Sequence, residues 1–283
     1  MGPVTNATGQ VEAVLVVFRD VTEAYRQQQA LLSLNQALLA SNQQLERLAY
    51  VASHDLQEPL RKIQYYSDRI GVEVAHRLTA PEQDMLSRMQ AAAQRMSELI
   101  DSLLEQAQLQ GPSSPRTLVS LNDLLNTLVS VLSVSIQERG ALVELEPPLP
   151  TLVGDAAQLR QLFQNLLSNA LKFTSPGVAP RIRIQARFVE PEQLADLALP
   201  LSLAYAQISV ADQGIGMASQ DLEGIFGLFT RLHGRHQYAG SGLGLATVKQ
   251  VVTNHQGSIR VDSQEGIGTT IHVYLPIAPG WMP

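Results

Sequence analysis

The sequence predicts a multi-domain chain: an all-α helical hairpin followed by an α/β two-layer sandwich, in which helices cover one face of a sheet. Three observations predict this. Residues 22–110 carry apolar residues at near-heptad spacing with few helix breakers, which is typical of helices packed against helices. The segment GPSSP, at residues 111–115, predicts a linker. Strands interspersed with amphipathic helices follow it and indicate a sheet covered by helices.

The composition is that of an ordinary globular protein and excludes several classes of function. The chain has 283 residues, 45% of them hydrophobic and 16% charged, so it is long enough for two domains. The net charge of −6 argues against broad electrostatic binding to nucleic acid. The absence of Cys excludes disulfides, thiolate metal sites and a Cys nucleophile, and is compatible with a cytoplasmic location. All apolar runs are shorter than the roughly 18 residues that span a bilayer.

The first residues predict a single strand that leads into a long helix. The segment VEAVLVVF, residues 11–18, is apolar and β-branched, but too little sequence surrounds it to form a sheet. We therefore interpret residues 1–21 as the last strand of an upstream domain. Asp20, with Glu23 three residues later, is the expected start of the first helix, which should run to about His76.

The centre of this first helix is the segment LERLAYVASHDLQEPLRKI. At about 100° per residue, its apolar residues fall within roughly 60° of one direction and predict a core stripe. The stripe consists of Leu45, Leu48, Ala52, Leu56, Leu60 and Ile63. His54 falls on the opposite side, so we expect its imidazole to face solvent. Pro59 follows five residues later and can kink the helix.

A second helix is predicted to begin at a capping box. Thr79 and Glu82 form this box, with Pro81 in the first turn. Its apolar residues recur at spacings of four and three residues: Met85, Met89, Ala92, Met96, Leu99 and Leu103. Because a two-helix hairpin is too thin to bury both stripes, we expect two chains to pair through residues 22–110 into a four-helix bundle.

After a linker over residues 111–118, the pattern predicts an α/β domain over residues 119–278 and a tail over 279–283. The expected helices cover residues 120–139, 155–173, with Asp155 as N-cap, and 243–255. The expected strands cover residues 142–145, 181–188, 206–210, 258–262 and 269–275. Alternation predicts that the strands at 181–188, 206–210 and 258–262 are half buried.

The helix over residues 155–173 has a polar face with possible ligands. Asn165 and Asn169 lie one turn apart, and Lys172 follows three residues later. Amide oxygens can bind a hard cation, and an ammonium can bind phosphate. Taken alone, the pattern also fits an ordinary solvated helix face.

Two glycine-rich motifs predict close approach of the backbone to a ligand. In Asp212-Gln-Gly214-Ile-Gly216 a carboxylate can accept a hydrogen bond from an exocyclic amine, and the glycines let the backbone approach a flat ring. Gly240-Ser-Gly242-Leu-Gly244 opens a predicted helix, whose free N–H groups suit a phosphate. Taken singly, each motif also fits an ordinary turn.

Between these motifs lie two aromatic residues and a polar loop. Phe226 and Phe229 precede the loop TRLHGRHQYA, which carries four positive or protonatable groups: Arg231, His233, Arg235 and His236. A further tight turn, Gly266-Ile-Gly268-Thr269, precedes the last predicted strand and also fits a plain β-turn.

In their order and spacing, these motifs resemble the transmitter region of sensor histidine kinases. The matching segments follow the family's order of H, N, G1, F, G2 and G3 boxes: SHDLQEP, NLLSNALKF, DQGIGM, IFGLFTRLHG, GSGLGL and GIGTT. The resemblance covers roughly residues 22–277. The preceding segment VVFRDVTEAYRQQQ resembles the C-terminal edge of a PAS-type sensor domain running into a signalling helix.

The resemblance implies an ATP-dependent protein histidine kinase of a two-component system. The hairpin would be the dimerisation and phosphoacceptor domain, and the sandwich a Bergerat-type ATP-binding domain with ATP and Mg²⁺ as cofactors. The linker would act as a hinge that lets the ATP domain reach the hairpin. The phosphoryl group would then pass to an Asp of a separate response regulator receiver domain.

Two alternatives remain at the level of sequence. One is another ATPase of the same nucleotide fold, of the gyrase, Hsp90 or MutL type; Asn165 stands where those enzymes usually have a catalytic Glu, and they lack the His-bearing hairpin. The other is a dimeric signalling scaffold that binds ATP without transfer.

The resemblance also implies residue roles. His54 would be the phosphoacceptor and Asp55 the acid that orients the ring or takes its proton. Asn169 would be the Mg²⁺ ligand, with Asn165 on the same face and Lys172 at the phosphates.

The remaining roles concern the base and the lid over the nucleotide. Asp212 would accept a hydrogen bond from the adenine amine, in a pocket shaped by Gly214 and Gly216. The other implied nucleotide-binding residues are Phe226, Phe229, Arg231, Arg235, Gly240, Gly242, Leu243, Gly244 and Thr269. Many relatives have Thr or Asn four residues after the His, where this chain has Glu58, so phosphatase activity toward a regulator is not predicted.

Overall fold

The computed structural model describes residues 2–5, 11–15, 21–110, 115–197, 199–200, 202–232, 238 and 242–278. Within the long helices, some side chains lie outside this description, including those of residues 41–52 and 54. The chain divides into two compact units, Met1–Leu45 and Glu46–Pro283.

The first unit contains a two-stranded antiparallel ribbon and the start of the first helix. Strand β1 (Gly2–Thr5) pairs with β2 (Val11–Leu15), with Gly2 opposite Leu15. The predicted strand therefore exists, but the expectation that it has no partner is wrong. The sequence GPVT shows no apolar alternation, which is why the pattern did not reveal β1. Asp20 and residues 16–18 lie outside the described residues.

The two long helices form an antiparallel hairpin. Helix α1 (Thr22–Glu73) continues through Pro59 and is followed by a 3-10 turn (Ala75–Arg77) and helix α2 (Ala80–Gln110). Glu82 accepts a hydrogen bond from the Thr79 backbone N–H at 2.7 Å, so the predicted start of α2 is confirmed.

A mostly small and polar seam joins the two helices of the hairpin. Leu60, Ser67 and Ala93 are buried in this seam. Side-chain hydrogen bonds cross it at three levels: Gln57 Nε2 to Asp101 Oδ1 at 2.7 Å, Gln90 Nε2 to Asp68 Oδ1 at 2.9 Å, and Gln64 Nε2 to Gln94 Oε1 at 3.4 Å.

The predicted apolar stripes are largely uncovered within one chain. Leu56 and Ile63 are 57% and 44% exposed in the single hairpin, and the expectation that a second chain covers them stays a prediction. Four residues of the α2 stripe are also exposed: Met85, Met89, Met96 and Leu99. Leu60, another residue of the predicted α1 stripe, is 3% exposed, because it lies at the edge of that stripe nearest to α2, on the same side as the buried Ser67.

The residues after the linker form the predicted two-layer α/β sandwich. The helices are α3 (Leu121–Val131), α4 (Ser133–Glu138), α5 (Ala156–Lys172), α6 (Pro191–Asp196) and α7 (Gly244–Asn254), with a 3-10 turn at Ser219–Asp221. The strands are β3 (Thr117–Ser120), β4 (Leu142–Leu145), β5 (Thr151–Gly154), β6 (Arg181–Phe188), β7 (Tyr205–Asp212), β8 (Ser258–Gln264) and β9 (Gly268–Pro276).

The main sheet has the order β4-β6-β7-β9-β8, and β3 pairs with β5 in a small second sheet. Only β4 and β6 run parallel in the main sheet. The main core lies between this sheet and the helices α3, α5 and α7. The fold class predicted from the sequence is therefore confirmed.

Strand β7 departs from the expected half-buried pattern. The strand lies at the centre of the sheet, and residues 205–210 are buried on both faces. On the face away from α5, Tyr205 belongs to a second apolar cluster, while Gln207 and Ser209 bond to the side chains of neighbouring strands. The cluster consists of Val189, Leu194, Leu197, Leu199, Tyr205 and Tyr274. The sequence did not predict α6, β3 or β5, because elements of four to six residues carry too few repeats of a period. For the same reason the predicted linker extends too far, since β3 begins at Thr117.

The single helix predicted over residues 120–139 is wrong: it is divided at Leu132 into α3 and α4.

A buried histidine joins α7 to the start of α5. His255 is 2% exposed, and its Nε2 accepts the backbone N–H of Asp155 at 3.0 Å. Its Nδ1 lies 2.8 Å from the carbonyl of Val251, so Nδ1 carries the proton and donates it there. Burial lowers the pKa of His255, and this hydrogen bond opposes that shift. The ring is therefore a neutral part of the core.

We expect His255→Leu to lower the free energy of unfolding by about 1–3 kcal/mol at pH 7.5, because it leaves a buried N–H without an acceptor. In the unfolded wild type, His255 binds a proton near its ordinary pKa of 6.5, whereas in the folded chain it does so only at lower pH. The free energy of unfolding therefore falls as the pH decreases below 6.5. The difference in free energy of unfolding between wild type and variant should thus be smaller at pH 5 than at pH 7.5. Urea unfolding followed by circular dichroism measures it.

His76→Leu is the control for this prediction, because His76 is an exposed histidine in the 3-10 turn. It should change stability by about 0.5 kcal/mol or less. Two results would contradict the role of His255 as a buried neutral hydrogen-bond acceptor. One is an equal loss of free energy of unfolding in both variants, and the other is a loss in His255→Leu that increases as the pH decreases.

Candidate functional site

The described α/β domain contains a cavity of about 280 Å³ beside the central strand. It is lined by α5, the end of β7 and the loop after it, β9, and the residues before α7. Nine residues singled out from the sequence line it: Asn165, Asn169, Lys172, Asp212, Gly216, Arg231, Gly242, Gly244 and Thr269. The tertiary structure therefore brings together motifs that are up to about a hundred residues apart in the sequence.

Helix α5 presents its amide side chains to the cavity because its opposite face is apolar. Leu159, Phe163 and Leu167 are buried in the core and fix the orientation of the helix. Asp155 caps the helix by accepting the backbone N–H groups of residues 157 and 158. Asn165 and Asn169 consequently lie in the cavity wall, one turn apart.

Asp212 is the last residue of β7 and places a carboxylate in the cavity wall. Its Oδ1 accepts the backbone N–H of Gly214 at 2.8 Å and that of Thr269 at 3.3 Å. Among the described residues, no group donates to Oδ2, so this oxygen can accept a hydrogen bond from a ligand. Burial raises the pKa of Asp212 to about 6, although the two N–H groups oppose the shift.

The two glycines after Asp212 are required by close backbone contacts. A Cβ on Gly214 would lie 2.2 Å from the carbonyl oxygen of Phe173. Gly216 has φ +64°, and a Cβ there would lie 1.9 Å from the carbonyl oxygen of Gln264. Gly214 does not itself line the cavity, but its N–H orients the carboxylate that does.

The N-terminus of α7 faces the two asparagines across the cavity. Gly244 begins this helix, and a Cβ there would lie 3.5 Å from Asn165 Oδ1 and 3.8 Å from Asn169 Nδ2. Within the described part of the chain no side chain caps the helix, and Gly244 and Leu245 line the cavity, so this helix N-terminus suits an anion. Leu243 does not line the cavity; it is 1% exposed and anchors this turn in the core.

Two cations line the same cavity. The pKa of Lys172 is lowered to about 8, by burial and by the positive charges of Arg231 and Arg139, while Glu98 acts in the opposite direction. Lys172 Nζ lies 4.1 Å from the centroid of the Phe173 ring, a cation–π distance. Together with the α7 N-terminus, these cations make the cavity suitable for a polyphosphate.

Other predicted site residues lie elsewhere. Phe226 and Phe229 do not line the cavity, and Phe229 is 52% exposed at a φ of +60°. Arg235 and Gly240 lie outside the described residues. His54 is in α1, but its side chain lies outside the description; Asp55 beside it is exposed.

Sequence reasoning missed several residues that line the cavity. The most informative are Phe173, Thr230 and Tyr238. Both Phe173 and Tyr238 lie within motifs that the sequence analysis named. Phe173 ends the segment NLLSNALKF, and Tyr238 belongs to the polar loop TRLHGRHQYA. Their side-chain direction could not be read from spacing, because Phe173 follows the last residue of α5 and Tyr238 belongs to neither a helix nor a strand.

Two protein families match the chain at the places that the motifs indicated. Residues 44–112 match the His Kinase A (phospho-acceptor) domain, and residues 154–279 match the histidine kinase-, DNA gyrase B-, and HSP90-like ATPase domain. The chain contains a sensor histidine kinase transmitter region. Since both domains are present, the predicted combination of a histidine phosphoacceptor domain and an ATP-binding domain is confirmed.

Curated relatives are similar over most of this transmitter region. Cyanobacterial phytochrome A of Nostoc sp. is 36% identical over 252 residues, which are 89% of this chain and 31% of that protein. The phytochrome-like protein Cph1 of Synechocystis sp. is 32% identical over 89% of this chain and 32% of its own length. The aerobic respiration control sensor protein ArcB of Escherichia coli is 28% identical over 95% of this chain. The chain thus spans about a third of the length of these relatives.

A solved structure supports the fold of the transmitter region. Full-length ShkA in complex with AMPPNP superposes with a TM-score of 0.60 over 82% of this chain and 46% of that chain, at 24% identity. In the part of the chain that the structure describes, no helix combines the length and apolar character needed to cross a membrane. The resemblance of residues 1–21 to a PAS-type domain stays a prediction.

We expect Asp212→Asn to stabilise the nucleotide-free transmitter at pH 8, by about 1–3 kcal/mol. The raised pKa means that the folded chain binds this proton more tightly than the unfolded chain between pH 3.8 and about 6, so ionisation above that range costs stability. Asn keeps an oxygen for the two N–H groups and carries no charge. Urea unfolding at pH 8 and at pH 3.5 should show the gain only at pH 8.

The same variant should bind adenine nucleotide more weakly. If the Asn oxygen keeps the two backbone N–H groups, an NH₂ group replaces Oδ2, and this donor cannot accept a hydrogen bond from the adenine amine. Asp196→Asn, an exposed acid on α6, is the control and should change neither quantity. A loss of stability at pH 8 together with unchanged nucleotide affinity would contradict a ligand-facing role for Asp212.

Proposed function

We propose that this transmitter binds ATP in the cavity of the α/β domain and transfers its γ-phosphoryl group to His54. The observation that carries the proposal is the convergence of Asn165, Asn169 and Lys172 with Asp212 and the uncapped N-terminus of α7 on one cavity. This arrangement supplies a hydrogen-bond acceptor, an anion site and two amide ligands together. The AMPPNP complex of ShkA is consistent with it.

The base and the phosphates would use different walls of the cavity. Asp212 Oδ2 would accept a hydrogen bond from the exocyclic amine of adenine, next to the backbone of Gly216. The polyphosphate would lie at the N-terminus of α7, with Lys172 and Arg231 neutralising its charge.

The asparagine pair fits a Mg²⁺ that arrives with the nucleotide. Among the described residues, no group of three or more His, Cys, Asp or Glu could hold a metal ion. Asn169, with Asn165 beside it, instead offers neutral amide oxygens, which would complete a shell made mostly of phosphate oxygens and water. When bound, the ion would neutralise charge on the phosphates.

The chemistry at the acceptor is an in-line phosphoryl transfer. An imidazole nitrogen of His54 would form a bond to the γ-phosphorus while the bond between that phosphorus and the β,γ-bridging oxygen breaks, and ADP leaves with the electron pair. The ring proton would pass to Asp55, the adjacent exposed acid, or to water. The phosphoryl group would later move to an Asp of a response regulator.

Glu58 bears on a separate reaction, the hydrolysis of the phospho-aspartate of a response regulator. Its carboxylate pairs with Lys62 Nζ at 2.9 Å on the surface of α1. A charged, paired carboxylate would repel the incoming oxygens of a phospho-aspartate, so we assign no phosphatase activity to this chain.

We also propose that two chains pair through the exposed stripes of the hairpin. Three lines of geometry support this. The seam between α1 and α2 uses one stripe of each helix, while Leu56, Ile63, Met89 and Met96 are each 44–57% exposed. In an antiparallel hairpin these two uncovered stripes fall on the same side, which gives one apolar face. Pairing two such faces would complete a four-helix bundle.

We expect His54→Ala to abolish acid-labile phosphorylation by ATP while leaving nucleotide affinity within twofold, because the residues that line the cavity belong to the α/β domain. Labelled ATP with Mg²⁺, followed by phosphopeptide mapping, measures the first quantity and calorimetry the second. Asn169→Ala should instead lower nucleotide affinity.

His76→Ala is the matched control, since it removes another histidine of the same hairpin and should leave phosphorylation intact. Acid-labile phosphate on His54→Ala would refute the acceptor assignment. Unchanged nucleotide affinity in both Asn169→Ala and Asp212→Ala would refute the cavity assignment.

For the dimer, we expect Met96→Glu to convert the chain to monomers in sedimentation equilibrium, because it places a charge in the apolar face. Arg95→Glu introduces the same residue one position earlier, on the exposed outer side of α2, and should leave the dimer intact. Dimers that survive Met96→Glu, or dissociation in both variants, would count against this interface.

A further inference from the structure

Tyr238 contacts the cavity wall in three ways. Its ring centroid lies 5.2 Å from that of Phe173, with an angle of 53° between the planes. Its hydroxyl donates to the carbonyl of Thr174 at 3.1 Å. Its own carbonyl accepts a hydrogen bond from Arg231 Nη2 at 2.7 Å. Tyr238 itself lines the cavity.

These contacts connect Tyr238 to both cations of the cavity. Lys172 Nζ lies over the ring of Phe173, and the same ring packs against Tyr238. Arg231 is held by the backbone carbonyl of Tyr238. Tyr238 therefore contacts Arg231 directly, and it contacts Lys172 indirectly, through the Phe173 ring on which Lys172 lies.

The two cations repel each other, so their closeness requires support. The positive charge of Arg231 contributes to lowering the pKa of Lys172, which shows that the two groups interact through space. An aromatic face stabilises a cation, and a carbonyl dipole does the same for a guanidinium. Phe173 and Tyr238 supply these two interactions without adding a carboxylate that a polyphosphate would have to displace.

We propose that Tyr238 is a positioning residue of the nucleotide site, which holds Lys172 through Phe173 and Arg231 through its own carbonyl. The proposal rests on the proposed nucleotide binding. With both cations already in place, less side-chain entropy is lost when the polyphosphate binds. Tyr238 thus strengthens binding of the phosphates, through the two cations, and contributes little to recognition of the base.

The proposal predicts a loss of affinity that depends on the phosphates. In the full chain, Tyr238→Ala removes the ring that packs on Phe173 and the hydroxyl that bonds to Thr174, so neither Phe173 nor the carbonyl that binds Arg231 is held in place. We expect ADP binding to weaken roughly 5- to 20-fold, the range that loss of positioning of about one cation supplies. Adenosine binding should change less than about twofold, since base recognition by Asp212 is intact. Calorimetry measures ADP, and NMR titration measures adenosine.

Two further variants separate the ring from the hydroxyl. Tyr238→Phe keeps the ring but removes the bond to Thr174, and should lose less ADP affinity than Tyr238→Ala. Tyr205→Phe is the matched control: it removes a tyrosine hydroxyl that donates to the carbonyl of Gln256 at 2.9 Å, outside the cavity. It should leave ADP affinity unchanged.

The salt dependence of ADP binding gives a second readout. Displaced cations contribute less to attraction, so the decrease of ADP affinity between 50 and 500 mM salt, about a threefold change in screening length, should be smaller in Tyr238→Ala than in wild type. A merely structural role would leave this dependence unchanged.

Each outcome decides between the explanations. Equal losses for ADP and adenosine, or an unchanged salt dependence, overturn the positioning role. Unchanged or increased ADP affinity also overturns it, and an increase would mean that Tyr238 occupies space that the nucleotide needs. Failure of the wild type to bind ADP would instead refute the proposed function itself.

Discussion

The burial of one carboxylate at the end of the central strand is the constraint on which the candidate site depends. Asp212 ends β7, and its Oδ1 joins the loop after β7 to the start of β9 through the N–H groups of Gly214 and Thr269. The same loop is bound to the β8–β9 turn, where Gly266 N–H donates to the carbonyl of Ile215 at 2.7 Å. A charge kept in this position costs stability, as its raised pKa indicates, and this cost is typical of functional groups.

The end of the hairpin and the predicted linker are both attached to the C-terminus of α7. Leu109, in the last turn of α2, is buried with the core of the α/β domain, and its carbonyl accepts Asn254 Nδ2 at 2.9 Å. Arg116, within the predicted linker, donates to the carbonyl of Asn254 at 2.9 Å. Any hinge movement of the ATP domain about the 111–118 linker would have to break these contacts. Contacts at the C-terminus of α7 therefore oppose such a movement.

The hairpin shows why burial and hydrophobicity need not coincide within one chain. Its internal seam is built from Ser67, Ala93 and glutamine hydrogen bonds, which let the helices approach closely. The larger apolar side chains, such as Met89 and Ile63, stay on the neighbouring stripe. A hairpin with this division of residues gains more from a second hairpin than from its own packing.

The sequence by itself determined the two-domain organisation, the starts of α2 and α5 at Thr79 and Asp155 and the strand at 181–188. It also determined most of the polar residues of the cavity wall. Caps, alternation and glycine motifs can be read in this way because they act over a few neighbouring residues. Only the tertiary structure decided which stripe of the hairpin is buried, that β7 is covered on both faces, and that Phe173 and Tyr238 rather than Phe226 and Phe229 line the cavity. Spacing fixes the direction of a side chain relative to its own helix or strand. It does not fix which distant element packs against that side, and this choice depends on contacts between residues far apart in the chain.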